Sequence, residues 1–121
     1  MTMNTVSEYC VVLTTFADDA VGKKIIDTLL EKHLAACIQV QAIDSFYHWE
    51  GAVNCDAEKQ VLIKTREALY PQVEKIIRLL HDYDVPEIIK LPITGAQTPT
   101  LLDQGYLPGY LTQSISLFAQ I

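Results

Sequence analysis

Long apolar runs are missing from this sequence, and so are the other features that would place a chain in a membrane or outside the cell. No apolar stretch approaches the roughly 18 residues that a membrane-spanning helix needs. The first ten residues, MTMNTVSEYC, contain neither the basic region nor the apolar core of a secretion signal. Cysteine is scarce: three widely spaced cysteines, an odd number, argue against a disulfide framework. We therefore expect a cytoplasmic protein that does not bind a membrane.

Basic charge is also in short supply. The chain has 9 lysines and arginines against 15 aspartates and glutamates, which gives a net charge of −6. Because nucleic-acid binding rests largely on cationic contacts to phosphate, this balance argues against a nucleic-acid partner. An acidic surface attracts divalent cations, although many proteins are acidic for solubility alone.

What is present is an alternation of β-rich and helical patterns in a chain of 121 residues, a length typical of one domain. Glu50 and Gly51 are predicted to form a turn between two strands. The pattern predicts six elements: a strand over Tyr9–Phe16, a helix over 18–32, strands over 36–49 and 58–65, a helix over about 69–80, and a strand over 87–93.

The predicted order, β-α-β-β-α-β, is that of the ferredoxin-like fold. This α+β fold is a four-stranded antiparallel sheet that carries two helices on one face. The whole chain, 1–121, is predicted to be a single domain. Within it, residues 1–8 are expected to form an N-terminal tail, and residues 98–121 a C-terminal arm of helical or irregular structure.

The first predicted strand is apolar on both of its faces. Val11 and Leu13 point one way, while Val12 and Phe16 point the other, and the fourth strand behaves alike. A sheet with one solvated face would instead alternate apolar and polar residues. Either another subunit or the C-terminal arm therefore has to cover the second face, and we favour another subunit.

Four blocks of sequence, EKHLAACIQV, SFYHWEG, LIKT and VPEIIKLPIT, resemble the divalent-cation tolerance protein family, CutA. The resemblance extends from about residue 9 to residue 94. It implies the fold just described and a homotrimer similar to the nitrogen-regulatory P-II trimers, in which the long second and third strands pair with a neighbouring subunit. It also implies a link to metal-ion tolerance and to the binding of copper and other divalent ions, with no catalytic reaction and no obligatory cofactor.

The resemblance places Lys64, in the apolar strand VLIKT, in a cleft between subunits. Glu87, at the start of the fourth strand, is predicted to be the matching carboxylate, because an opposite charge nearby would keep both groups ionised. Tyr83 and Trp49 are predicted to wall this cleft, with Tyr47 as a further cleft or interface aromatic. The alternative interpretation is a salt bridge that only holds the trimer together.

A metal site is predicted around His81, which is followed by Asp82 and Asp84. An imidazole and two carboxylates suit borderline divalent metals, and the thiol of Cys37 is a possible fourth ligand. The prediction is a weak site that prefers Cu(II). In the alternative interpretation His81 belongs to an ordinary polar helix end, and Cys37 is a small buried hydrophobic residue.

Three classes of function remain open from the sequence. The leading one is a non-enzymatic trimer that binds divalent cations or a small ligand at its inter-subunit clefts. The second is a structural trimer that anchors a partner protein. The third is an acylphosphatase-like enzyme, which would need an arginine in a phosphate-binding loop, and Arg66 and Arg78 both lie outside any glycine-rich loop.

Overall fold

The structure, a computed structural model, describes residues 8–96. Its element order is the predicted β-α-β-β-α-β, and a single 3₁₀ turn, Glu67–Leu69, precedes the second helix. The predicted C-terminal arm lies outside the described residues. The elements are β1 (Tyr9–Phe16), α1 (Asp19–Glu31), β2 (Cys37–Trp49), β3 (Ala52–Arg66), α2 (Tyr70–Leu80) and β4 (Ile89–Pro92).

β3 is longer than the sequence predicted, because it begins at Ala52, directly after the turn. Glu50 and Gly51 both have left-handed backbones, with φ of 51° and 81°. Two consecutive positive φ values are typical of a type I′ turn, whose twist matches that of the flanking strands. Pairing therefore starts at once, with Trp49 opposite Ala52. β4 is shorter than predicted, four residues long.

The sheet has the strand order β2-β3-β1-β4, and all its neighbours are antiparallel. β1 reaches only as far as the pair Phe16–Lys59, so residues 52–58 of β3 have, within the described residues, a strand partner on one side alone, in β2. Residues 43–58 thus form a two-stranded ribbon that extends past the rest of the sheet, which we call the hairpin arm. β2 is the edge strand along its whole 13-residue length.

Both helices pack on the same face of the sheet and enclose the hydrophobic core. Asp18 caps the N-terminus of α1, because its side chain accepts a hydrogen bond from the Ala20 N–H at 2.8 Å. Gly22 brings α1 close to Phe16, since a Cβ at this position would lie 2.3 Å from the ring. Neither described helix is long and apolar enough to cross a membrane. The core contains Cys10, Val12, Phe16, Ile25, Leu29, Val61, Ile63, Val73 and Ile77.

The other face of the sheet is apolar at its centre, and neither helix of the described residues 8–96 lies over it. Directly opposed residues of antiparallel strands share a face, so the register places one set of side chains there. In the described chain Leu91 is 48% exposed and Ile89 is 45% exposed. The prediction that β1 is apolar on both faces is confirmed. We call this surface the open sheet face; it comprises Val11, Leu13, Leu62, Ile89 and Leu91.

Candidate functional site

A hydrogen-bonded network lies where the hairpin arm leaves the sheet, and Glu58 is at its centre. One carboxylate oxygen of Glu58 accepts from the Ser45 hydroxyl at 2.7 Å, and the other accepts from the Tyr83 hydroxyl at 2.7 Å. Ser45 is in β2 and Tyr83 is in the loop after α2, so one side chain connects three segments. Burial and the hydrogen bond to Glu58 both raise the pKa of Tyr83 above its ordinary value. The phenol is therefore a stable donor at neutral pH.

His81 holds the loop that carries Tyr83. Its side chain has no exposed surface, and Nε2 lies 2.7 Å from the Thr15 carbonyl oxygen at the end of β1. A carbonyl can only accept, so Nε2 carries the proton, and Nδ1 accepts from the Tyr83 N–H at 3.1 Å. Asp82 lies 3.3 Å from the same Nδ1, but an unprotonated Nδ1 makes no ion pair with it. Both ring nitrogens are thus occupied by hydrogen bonds within the chain.

A second tyrosine–carboxylate pair lies further out on the same face of the arm. The Tyr47 hydroxyl donates to Asp56, and this hydrogen bond raises the pKa of Tyr47. Asp56 and Glu58 are two residues apart in β3 and therefore face the same way. The two tyrosines each supply a donor to one of two neighbouring carboxylates.

The base of the arm also borders a cavity of about 440 Å³ next to the start of α1. On the face of the ribbon that carries Lys59, the charged residues of its lining are Asp19, Asp44 and Lys59. The Lys59 ammonium lies 2.8 Å from Asp19. The lining residues are Ala17, Asp19, Ala42, Ile43, Asp44, Ala57, Glu58 and Lys59.

The predicted partners Lys64 and Glu87 are not neighbours within one chain. Lys64 is half-buried in β3, opposite Val11 of β1, and Val11 in turn pairs with Leu91 of β4. Glu87 is exposed and lies four residues before Leu91, on the far side of β1. An approach of Lys64 and Glu87 therefore requires a second subunit, and it stays a prediction.

The predicted cleft aromatics are also spread out. Trp49 is 62% exposed at the outer end of β2, opposite Ala52. Tyr83 contacts the arm at Glu58, six residues from Ala52, which corresponds to about 20 Å of strand. One chain therefore does not bring Trp49 and Tyr83 to the same wall, while Tyr47 lies between them.

The predicted metal set is not assembled in one chain either. Cys37 lies opposite Lys64, near the other end of β1 from the Thr15 carbonyl that contacts His81. Asp84 is exposed on the loop after α2. Within residues 8–96, no group of three or more His, Cys, Asp or Glu side chains could hold a metal ion. The four residues do not fit a metal centre built by a single subunit.

The sequence interpretation missed Glu58, Ser45 and Asp56. The sequence does contain a signal for them. The two-residue turn at Glu50–Gly51 pairs Trp49 with Ala52, and this first pair fixes every later pair of β2 and β3 residues. That register places Ser45 diagonally opposite Glu58. The contact of Tyr83 with Glu58 has no such local signal.

This geometry defines the class of protein: a small α+β domain with a four-stranded antiparallel sheet, two helices on one face and an extended hairpin. The particular family follows from comparison with known proteins. The family model described as CutA1 divalent ion tolerance protein matches residues 10–102, and the chain belongs to this family.

Several relatives show the extent of the likeness. The chain is 43% identical over 86 residues to Protein CutA, chloroplastic, from Arabidopsis thaliana, covering 70% of this chain and 47% of that protein. It is 40% identical over 83 residues to the divalent-cation tolerance protein CutA of Pyrococcus horikoshii, covering 69% of this chain and 81% of that protein. The crystal structure of CutA1 from Oryza sativa superimposes with a TM-score of 0.71 at 39% identity, covering 77% of this chain and 86% of that chain. The chain spans about half the length of the plant relatives it matches.

Proposed function

We propose that this protein is a non-enzymatic homotrimer that binds divalent cations, copper(II) most tightly, or a small ligand at the clefts between its subunits. Membership of the divalent ion tolerance family supports the cation part of the proposal. The compartment stays a prediction: we propose the cytoplasm, where the three free thiols would stay reduced.

The open sheet face is the observation that best supports the proposed homotrimer. Leu91 and Ile89 are each almost half exposed in the single chain, beside the half-buried Val11 and Leu13. An apolar patch at the centre of a sheet is typical of an interaction surface. Among the described residues, the 13-residue edge of β2 and the edge of residues 52–58 that faces away from β2 have no neighbouring strand, and natural proteins normally cover such edges. A second copy of the chain has the same apolar face and the same strand edges, so copies of the chain can cover both features for one another.

The cation part of the proposal relies on more than one subunit. Both nitrogens of His81 are engaged, and Cys37 lies opposite Lys64, near the other end of β1. The exposed carboxylates Asp82 and Asp84 are therefore the members of the predicted set that remain available together. Cu(II) is at the top of the affinity order for nitrogen and oxygen ligands among first-row divalent ions. Carboxylates without a free imidazole make a weak site, so we expect binding at micromolar or weaker affinity, completed by ligands from a neighbouring subunit.

The test combines light scattering with calorimetric titration of Cu(II) and Zn(II) into the wild type and the double variant Asp82→Asn, Asp84→Asn. The expected result is a trimer in both cases, with copper affinity reduced at least tenfold in the variant. Asp27→Asn is the matched control, because Asp27 is an exposed aspartate in α1 that pairs with Lys23. Equal copper affinity in the double variant and the control would remove these carboxylates from the proposal. A monomeric wild type would remove the trimer.

A structural trimer that anchors a partner protein is the second candidate. Leu79 is 70% exposed on α2 and Leu30 is 43% exposed on α1, so the helical side of the molecule also offers apolar surface. The enzyme alternative has no such support. The Arg66 guanidinium lies over the Tyr9 ring at 5.5 Å, and Arg78 pairs with Glu74 within α2, so neither arginine is placed in a phosphate-binding loop.

A further inference from the structure

The orientation of the hairpin arm needs a physical cause. In the part of the chain that the structure describes, residues 43–58 pair only with each other, because β1 ends opposite Lys59. A two-stranded ribbon is marginally stable in water, and it twists strongly. Its strands are continuous with the sheet, but backbone hydrogen bonding to β1 stops at the point where the arm begins. Side chains at this point therefore decide how firmly the arm is held.

One face of the arm is held there by Glu58. This carboxylate joins β2, through Ser45, to the loop after α2, through Tyr83. The loop is itself attached to the end of β1, because His81 donates to the Thr15 carbonyl oxygen and accepts from the Tyr83 N–H. The chain of contacts runs from the last residues of β1 to the first residues of the arm. Hydrogen bonds to a carboxylate are stronger than those between neutral groups, and these are partly buried.

The opposite face is held by the next residue. Lys59 follows Glu58 in β3 and therefore points to the other side of the ribbon. Its ammonium lies 2.8 Å from Asp19 in the first turn of α1. Both side chains are largely exposed, at 44% and 75%, so this ion pair contributes little. Glu58 and Lys59 thus hold the boundary of the arm on its two faces. The hydrogen bonds of Glu58 make the stronger contact, and the ion pair of Lys59 makes the weaker one.

We propose that Glu58 and Lys59 form a two-sided clasp that sets the angle of the hairpin arm relative to the sheet, with Tyr83 as its positioning residue. The clasp acts on the single chain. Its consequence for assembly rests on the proposed trimer: arms that must pair with neighbouring copies have to leave the sheet at one angle. Freeing the arm from Tyr83 widens the range of angles and weakens the fit between subunits.

Hydrogen exchange measured by mass spectrometry tests the clasp directly. Tyr83→Phe removes only the hydroxyl that binds Glu58. The matched control is Tyr70→Phe, which removes the hydroxyl of a half-buried tyrosine in α2 whose ring contacts Lys90. We expect amide exchange in residues 43–58 to be about tenfold faster in Tyr83→Phe, a factor that corresponds to about 1.4 kcal/mol. Amide exchange in α1 of Tyr83→Phe should match that of the wild type. Tyr70→Phe should match the wild type in residues 43–58 as well.

Two results would overturn the proposal. One is unchanged exchange of the arm in Tyr83→Phe, and the other is equal acceleration in the arm and α1, which would mean a general loss of stability. Lys59→Met tests the weaker contact, and it should accelerate amide exchange in residues 43–58 less than Tyr83→Phe does. A larger acceleration in Lys59→Met would contradict the positioning role of Tyr83. Light scattering on every sample separates this proposal from the trimer. A monomeric wild type contradicts the trimer and leaves the exchange result decisive for the clasp.

Discussion

His81 is a polar side chain whose two ring nitrogens both form hydrogen bonds within the described chain. It has no exposed surface, and it satisfies the Thr15 carbonyl group and the Tyr83 N–H with opposite sides of one neutral ring. Side chains of this kind fix a loop against a strand. The structural role of His81 therefore has a clear basis, whereas its predicted role as a metal ligand would require at least one of these hydrogen bonds to break.

We expect His81→Ala to lower the free energy of unfolding by about 2 to 4 kcal/mol, because it leaves a buried carbonyl group and an N–H without partners. Urea unfolding at one fixed protein concentration measures the change, since assembly makes stability depend on concentration. The matched control is His33→Asn at an exposed position with a left-handed φ of 57°, which asparagine tolerates. A loss below about 0.5 kcal/mol in His81→Ala would contradict the structural role.

Cys10 gives a pH-dependent prediction. Burial in the core raises the pKa of its thiol from 9.0 to about 11. Above pH 9 the unfolded chain releases this proton while the native chain keeps it, so stability falls as the pH rises from about 9 towards 11. Cys10→Ala removes this contribution. We expect the stability difference between wild type and Cys10→Ala to shrink by about 1 kcal/mol between pH 8 and pH 10.

Denaturant unfolding at these two pH values checks the expectation. Cys55→Ala is the control substitution of a cysteine outside the core, because Cys55 is exposed. Parallel pH curves for wild type and Cys10→Ala would show that the buried thiol titrates as it does in the unfolded chain.

At the scale of elements, the hairpin turn requires a left-handed backbone at a residue, Glu50, that does not favour this conformation. Glu50 has a φ of 51°, a conformation that costs an ordinary residue about 1 to 2 kcal/mol, and asparagine less. We expect Glu50→Asn to stabilise the protein by about 0.5 to 1 kcal/mol. The midpoint of urea unfolding measures this gain.

Gly51→Ala is the companion variant. Gly51 has a φ of 81°, and a Cβ built there would have no atom within 4 Å, so any loss comes from the backbone alone. We expect a loss of about 1 kcal/mol. If Glu50→Asn and Gly51→Ala both leave the midpoint unchanged, the turn in solution is not the type I′ turn of the structure.

At the scale of the whole molecule, residues 8–96 expose apolar side chains both on the open sheet face and on α2, and a pair of matched variants separates the roles of these two surfaces. Leu91 is on the open sheet face and is 48% exposed, while Leu79 is on α2 and is 70% exposed. Both are exposed enough in one chain for a charged residue to leave folding intact. We expect Leu91→Glu to give a folded monomer, because three buried carboxylates cannot be accommodated at a subunit interface. Leu79→Glu should remain a trimer.

Light scattering together with circular dichroism distinguishes the outcomes. A trimer that survives Leu91→Glu would mean that the open sheet face is not the interface. Loss of the trimer in Leu79→Glu would instead move the interface to the helical side, where the second candidate function places its partner.

Local patterns determined the order and the type of the elements. The alternation of apolar residues in Tyr9–Phe16, the four-residue spacing of Val21, Ile25 and Leu29, and the Glu–Gly turn each report on a few neighbouring residues. Such signals are sufficient for a β-α-β-β-α-β chain and for a sheet that is apolar on both faces. Four other blocks, EKHLAACIQV, SFYHWEG, LIKT and VPEIIKLPIT, also indicated the family, which the match over residues 10–102 confirms.

Only the tertiary structure decided which polar groups meet. The Thr15 carbonyl and His81 are 66 residues apart in the chain, and Tyr83 and Glu58 are 25 apart, so no local period relates them. His81, Asp82 and Asp84 are neighbours in sequence and suggested shared ligation, yet folding turns His81 inward and leaves both carboxylates exposed. The physical reason is that a buried imidazole must satisfy both nitrogens, and its partners are supplied by whichever strand end and loop the packing of α2 brings beside it.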